Sequence, residues 1–271
     1  SAGAWREEPL QPGEAVRMMT GAPVPPGADT VVRFEEAGQD GDFVILQRRP
    51  TAGRDVRAAG EDVRAGQTVL RAGLTLRPQE IGMLAALGRA EVAVVRQPRV
   101  AVLSTGDEVA PLGAPLRRGQ IRDSNSYSLC AQTLEAGGEP LLLEVAPDRE
   151  DALTARLRQA LEAQADLIVT SGGVSVGDFD LTKRVLAAEG VLDFWWVNMK
   201  PGRPMAFGRL GMTPLLALPG NPVAAMLSFM LFGRAAVRKM RGHTHWELPT
   251  RRARLREGVS RKDGRRHYLR V

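Results

Sequence analysis

Leu167-Ile168-Val169-Thr170-Ser171-Gly172-Gly173-Val174-Ser175-Val176-Gly177-Asp178-Phe179-Asp180 is the stretch on which the fold reading turns. Three apolar residues, two of them β-branched, read as a buried strand. Hydroxyls, glycines and carboxylates follow, which suits a loop that meets a ligand. In an open α/β sheet, ligands bind at such loops, beyond the carboxyl ends of the strands. Around this stretch, residues 98–240 alternate strand and helix patterns, the signature of an α/β domain. Residues 100–103, 140–145, 194–197, 205–207 and 215–218 read as strands. A helix is expected over 125–136, with Ser124 as its N-cap and Gly137-Gly138 as its stop. Another is expected over 151–163, with Leu153, Leu157 and Leu161 on one face, and a short one over 182–189. Pro222 opens a long apolar helix to about residue 240.

The flanks differ in character. Residues 1–49 carry β-like runs at 15–19, 30–34 and 43–46, punctuated by prolines, and read as a small β domain whose start is missing. Over 50–97, Gly53, Gly60, Gly66 and Gly73 predict short strands linked by turns, then a helix over 76–87 begun by Pro78. Residues 249–271, with strands expected at 254–256 and 267–271, read as the start of a C-terminal β domain whose remainder is missing. The expectation is a multidomain α/β chain, truncated at both ends: a central α/β domain over 98–241 between small β domains.

Composition narrows the function classes. The 271 residues are 44% hydrophobic and 25% charged, as in ordinary globular proteins. No stretch approaches the ~20 apolar residues of a membrane helix, and no leader is recognised. The net charge of +6 is uneven: residues 234–271 hold 13 basic and 3 acidic side chains. Those arginines lack an interleaved aromatic ladder, so nucleic acid is not the expected partner. The single cysteine, Cys130, permits no intrachain disulfide, which suits a reducing, cytoplasmic setting. It reads as a small packed hydrophobe, and His243, His245 and His267 offer no zinc-type spacing.

The chemistry-bearing segments fall where strands end. They are Ser104-Thr105-Gly106-Asp107-Glu108, the run from Thr170 to Asp180, and Pro219-Gly220-Asn221-Pro222. Glycines there let backbone N–H groups approach an anion. The carboxylates Glu108, Asp178 and Asp180 would repel a bare phosphate unless a hard cation such as Mg²⁺ bridged them. A fourth segment, Asn198-Met199-Lys200-Pro201-Gly202-Arg203-Pro204, sets two cations in a Pro/Gly turn suited to a small oxyanion. Walker-A, Rossmann and nucleophile-elbow patterns are absent.

Taken in order with Met19-Thr20-Gly21-Ala22-Pro23-Val24-Pro25-Pro26-Gly27-Ala28-Asp29, Gly60-Glu61-Asp62 and Asp123-Ser124-Asn125, these segments resemble the molybdopterin molybdenumtransferases (molybdenum insertases), which include the C-terminal domain of gephyrin. The resemblance implies a central molybdopterin-binding domain and a homodimer, fed by a molybdopterin adenylyltransferase upstream. It implies insertion of molybdate into adenylylated molybdopterin with Mg²⁺-dependent release of AMP. Carried over residue by residue, it marks Thr20, Asp62, Glu108, Asp148, Asp180 and Lys200 as functional positions. It places Mg²⁺ on Asp178 and Asp180, and the pterin phosphate on Gly172, Gly173 and Ser175. Asn221 joins the cofactor site, and Lys200 and Arg203 meet molybdate, with Arg265 reaching the same pocket. Two positions depart from the family pattern: Trp196 replaces a lysine and Ala224 a serine. A molybdopterin adenylyltransferase and a gephyrin-like peptide-binding scaffold are the alternatives.

Overall fold

The computed structural model describes residues 3, 5–173, 184, 185, 188, 190–260 and 263–269. The chain divides into two compact units, Ser1–Arg71 and Ala72–Val271.

In the first unit a 3₁₀ turn, Phe34–Glu36, leads into a hairpin of β1 (Ala37–Asp40) and β2 (Phe43–Leu46). The strands are antiparallel, from Ala37 opposite Leu46 to Asp40 opposite Phe43. Gly41, at φ +57°, makes the tight turn between them. Elsewhere the unit is held by backbone bonds between loops, such as Leu10 N–H to Pro26 O at 2.8 Å and Val31 N–H to Arg54 O at 3.0 Å. The Arg54 guanidinium grips Glu36 at 2.6 and 2.7 Å. Among its described residues only Pro25 is buried. The strands expected over 15–19 and 30–34 are not formed. Those runs have β propensity, but no neighbouring strand among the described residues pairs with them.

The second unit starts with α1 (Pro78–Ala86), where Pro78 fills the first turn and the Glu80 carboxylate accepts from the Arg77 N–H at 2.9 Å. The glycine-punctuated run before it forms turns rather than strands. Next come β3 (Arg99–Ser104), the short pair β4 (Val109–Ala110) and β5 (Ile121–Arg122), and α2 (Asn125–Ala136). After these follow β6 (Glu139–Leu142), α3 (Glu150–Glu162), β7 (Leu167–Ser171) and β8 (Val191–Trp196). Then come β9 (Met199–Lys200), β10 (Pro204–Leu210), β11 (Thr213–Leu218) and α4 (Pro222–Ser228). A wide π turn, Phe229–Gly233, joins α4 to α5 (Arg234–Met240), and β12 (Arg266–His267) closes the described chain.

Six strands make one sheet in the order β6-β3-β7-β11-β10-β8. β6, β3, β7 and β11 run parallel, and β10 is antiparallel to both its neighbours. Alternation along β3 sends Ala101 and Leu103 to one face and Val100 and Val102 to the other. On the first face they meet Leu153, Leu157 and Ala160 of α3; on the second, Leu129 of α2, Phe229 and Val237. Ala160, not the expected Leu161, completes the buried stripe of α3, and Leu161 is exposed. The helix expected to run unbroken from Pro222 widens at Phe229–Gly233, where the Phe229 ring packs against Gly233. A Cβ there would lie 2.5 Å from that ring.

The start of α2 also differs from expectation. Ser124 makes no capping bond. The buried Asp123 carboxylate does it instead, accepting from the Ser126 N–H at 3.0 Å and from the Ser104 hydroxyl at 2.9 Å. The carboxylate thereby ties the helix to the end of β3. Gly137, at φ +88°, ends the helix as expected. Asp123→Ala takes away the acceptor of the Ser126 amide and of the buried Ser104 hydroxyl. It is expected to lower unfolding free energy by about 1–3 kcal/mol, measured by urea denaturation.

Candidate active site

Register brings the strand ends together. Ser104 pairs with Ser171, and Ser171 with Leu218, so β3, β7 and β11 stop at one level. The chain past β3 continues along the segment past β6, with a bridge between Thr105 and Ala146. Asp107 and Asp148 lock that edge reciprocally: Asp148 N–H donates to the Asp107 carboxylate at 3.1 Å, and Asp107 N–H to the Asp148 carboxylate at 3.3 Å.

At this rim lies a cleft of about 290 Å³ lined by Thr105, Gly106, Glu108, Asp148, Gly172, Gly173, Pro204, Pro219, Gly220 and Asn221. Glycines line it, and two of them, Gly172 and Gly106, are required by backbone conformation and close approach. Gly172, at φ +95°, packs so tightly that a Cβ would lie 2.5 Å from the Thr105 carbonyl oxygen. Gly106, at φ +142°, sits under the Glu108 carboxylate, where a Cβ would meet Oε2 at 2.5 Å. Gly220 passes beside Gly172, 3.6 Å from its Cα by the same measure. The loops are pinned by Asn125, which belongs to a quoted motif but is not among the expected site residues. The Asn125 amide donates to the Ser171 hydroxyl and to the Gly220 carbonyl, both at 2.8 Å. The Thr105 hydroxyl is buried without a partner among the described residues.

Five of the expected site residues, Glu108, Asp148, Gly172, Gly173 and Asn221, therefore share one cleft. Asn221 has a local task as well: its side-chain oxygen caps α4 by accepting from Val223 and Ala224 N–H at 3.0 and 3.2 Å. Ser175, Asp178 and Asp180 lie outside the described residues. Thr20 and Asp62 belong to the first unit. Thr20 is an exposed turn residue, and Asp62 pairs with Arg57 at 3.0 Å.

The cations are arranged otherwise. Pro204 lines the cleft, but Lys200, at the other end of the same turn, lines a second groove of about 780 Å³ with Pro201, Ser260, Asp263, His267, Tyr268 and Leu269. Lys200 Nζ faces Asp263 at 3.8 Å, and Arg265 holds the same carboxylate. Hydrogen bonding from His267, then Arg265, holds the Asp263 carboxyl well below the usual carboxylate range. Arg203 stacks on the Trp196 ring, 5.2 Å from its centroid. Cys130 packs beside the α2 face of the sheet, and burial pushes its thiol up to about 11, away from the reactive thiolate. Among the described residues, no helix is long and apolar enough to cross a membrane.

Fold and site define an α/β protein with an acid- and glycine-lined cleft at the carboxyl rim of a mostly parallel sheet. Residues 101–239 match the family described as "Probable molybdopterin binding domain", and residues 1–88 match "MoeA N-terminal region (domain I and II)". The molybdopterin molybdenumtransferase of Nostoc sp. is 39% identical over 245 residues, 89% of this chain and 56% of that protein. That of Haemophilus influenzae is 39% identical over 249 residues, 92% of this chain and 61% of that protein. A crystal structure of the molybdopterin biosynthesis MoeA protein from Pyrococcus horikoshii superposes with a TM-score of 0.73 at 31% identity, covering 92% of this chain and 60% of that one. The chain belongs to the molybdopterin molybdenumtransferase family, as its motifs indicated, and spans about three fifths of the length of these relatives.

The packing of Gly172 predicts a graded response. Gly119, at φ +90°, has open space where a Cβ would go, so Gly119→Ala carries only the left-handed strain of about 1–2 kcal/mol. Gly172→Ala adds the collision with Thr105. It is expected to shift the urea midpoint clearly further than Gly119→Ala does.

Proposed function

We propose that the protein works in molybdenum cofactor biosynthesis, inserting molybdate into adenylylated molybdopterin with Mg²⁺-dependent release of AMP. The observation that carries this reading is the convergence of the loops after β3, β6, β7 and β11 on one cleft, in a chain of this family. The cleft combines close backbone approach at Gly172 and Gly173 with the carboxylates of Glu108 and Asp148.

That donor set fits Mg²⁺, which is usually held by one or two carboxylates plus substrate phosphates. Glu108 and Asp148, with Asp178 and Asp180, are the side chains proposed to hold it, and bound there it would neutralise phosphate charge. The protein's own part is mostly positional. Gly172, Gly173 and Ser175 admit the pterin phosphate, and Asn125 and Asn221 keep the loops around it in place. Lys200, Arg203 and Arg265 supply fixed positive charge for molybdate, a dianion. Water attack on the phosphoanhydride would free AMP and leave the pterin phosphate on its cradle. Asp180 is the residue proposed to handle the proton of that step.

The wider organisation belongs to the same proposal: β domain over 1–49, extended domain over 50–97, molybdopterin-binding domain over 98–241, and start of a C-terminal domain over 249–271. A homodimer is supported by the first unit, which buries almost nothing itself and leaves Phe34 and Phe43 exposed. In such a dimer Thr20 and Asp62 would serve the partner's cleft. The protein would act in the cytoplasm, downstream of a molybdopterin adenylyltransferase.

The test is AMP release from adenylylated molybdopterin with Mg²⁺ and molybdate present. Glu108→Ala is expected to lower the rate by roughly 10²-fold or more. ATP consumption without any need for molybdate would instead favour the adenylyltransferase.

A further inference from the structure

The groove beside Lys200 contains a carboxylate at the focus of its cations. Residues 264–268 are stitched along the turn by parallel pairing of β12 with β9. Arg266 N–H donates to Asn198 O at 3.1 Å and Tyr268 N–H to Lys200 O at 2.9 Å, while the Asn198 amide donates to Gly264 O at 3.2 Å. This pairing sets His267 opposite Lys200.

Three basic side chains then converge on Asp263. Arg265 reaches it through Nε at 3.0 Å and Nη2 at 2.5 Å, His267 through Nε2 at 2.5 Å, and Lys200 through Nζ at 3.8 Å. Asp263 is the only acid among the described residues lining the groove. The His267 side chain is 10% exposed and that of Arg265 26%, so part of their hydration has been given up for this one carboxylate. A planar guanidinium, an imidazole and an ammonium would serve a tetrahedral oxyanion equally well. At about 780 Å³ the groove has room for one.

We propose that Asp263 is an internal counter-anion: its carboxylate occupies the seat that Lys200, Arg265 and His267 offer to an oxyanion, so an incoming oxyanion has to displace it. Asp263 thereby sets the affinity of the groove. This deepens the reading in which Lys200 and Arg265 meet molybdate, and rests on it for the identity of the natural anion.

The counter-anion and a purely architectural Asp263 predict opposite signs. A carboxylate that only braces the tail would, when lost, loosen the seat and weaken binding. A competing carboxylate, when neutralised, lets the oxyanion bind more tightly. The experiment is calorimetric titration of the 271-residue chain with molybdate and, separately, sulfate, at one fixed pH, for wild type, Asp263→Asn and Asp263→Ser. Both variants are expected to lower Kd by about tenfold or more. Adding Lys200→Met to Asp263→Asn is expected to abolish the gain. Amide exchange at Tyr268 checks that β12 still pairs with Lys200. Unchanged or weaker binding in both variants, or no oxyanion binding by any of the proteins, overturns the proposal. The titration uses no pterin, so it stands apart from the AMP-release assay. Tighter binding in the variants upholds the counter-anion even if wild type releases no AMP, whereas that silence would sink only the assigned reaction.

Discussion

Everything at the cleft depends on β3, β7 and β11 ending at one level. Parallel strands keep a single direction, so their carboxyl ends share a rim, and the Ser104–Ser171–Leu218 register fixes how closely the following loops must pass. With so little room, the loop after β7 begins with two glycines at positive φ, Gly172 at +95° and Gly173 at +64°. A side chain at Gly172 would run into the chain leaving β3. The same crowding keeps the backbone bare, and bare backbone is what an anionic ligand can approach. Packing and binding therefore ask for the same residues here.

The polar links at the rim serve that geometry. Asp123 binds α2 to the end of β3, and Asn125, two residues on, reaches from the start of that helix to the loops after β7 and β11. Asp107 and Asp148 hold the edge beside β6. The acids that face the cleft are thus carried by loops whose backbones are already fixed, which reduces the ordering cost of meeting a ligand. The cations sit at a different place. The turn between β8 and β10 has Pro204 in the cleft and Lys200 in the neighbouring groove, where a strand from the end of the chain pairs with it.

Much of this was legible in the sequence, for reasons that can be named. Buried parallel strands are continuous apolar runs, so 100–103 and 167–169 stood out. Helix α2 was bounded by a polar start and a Gly-Gly stop, and forms over the residues expected. Glu108, Gly172, Gly173 and Asn221 were legible as strand-end residues, and they do line one cleft. What escaped depends on distance in space. Ser124 and Asp123 are both good caps by type, and only the nearness of Ser104 decides for Asp123. Asn125 looked like a helix-start residue, because its bond to Gly220 spans 95 positions. Lys200 and Arg265 were legible as cations, but the intervening Asp263 was not, since that needs the pairing of β12 with β9. Of the β-like runs in the first unit, 43–46 forms a strand, whereas 15–19 and 30–34 misled because propensity counts only when a partner strand is present.

Amide hydrogen exchange with and without adenylylated molybdopterin tests the central claim most directly. The account predicts that slowed exchange centres on Thr105, Gly106, Glu108, Asp148, Gly172, Gly173, Gly220 and Asn221, the residues brought together by the co-terminal strands. Protection that bypasses this rim, or gathers at the amino ends of β3, β7 and β11, would contradict it.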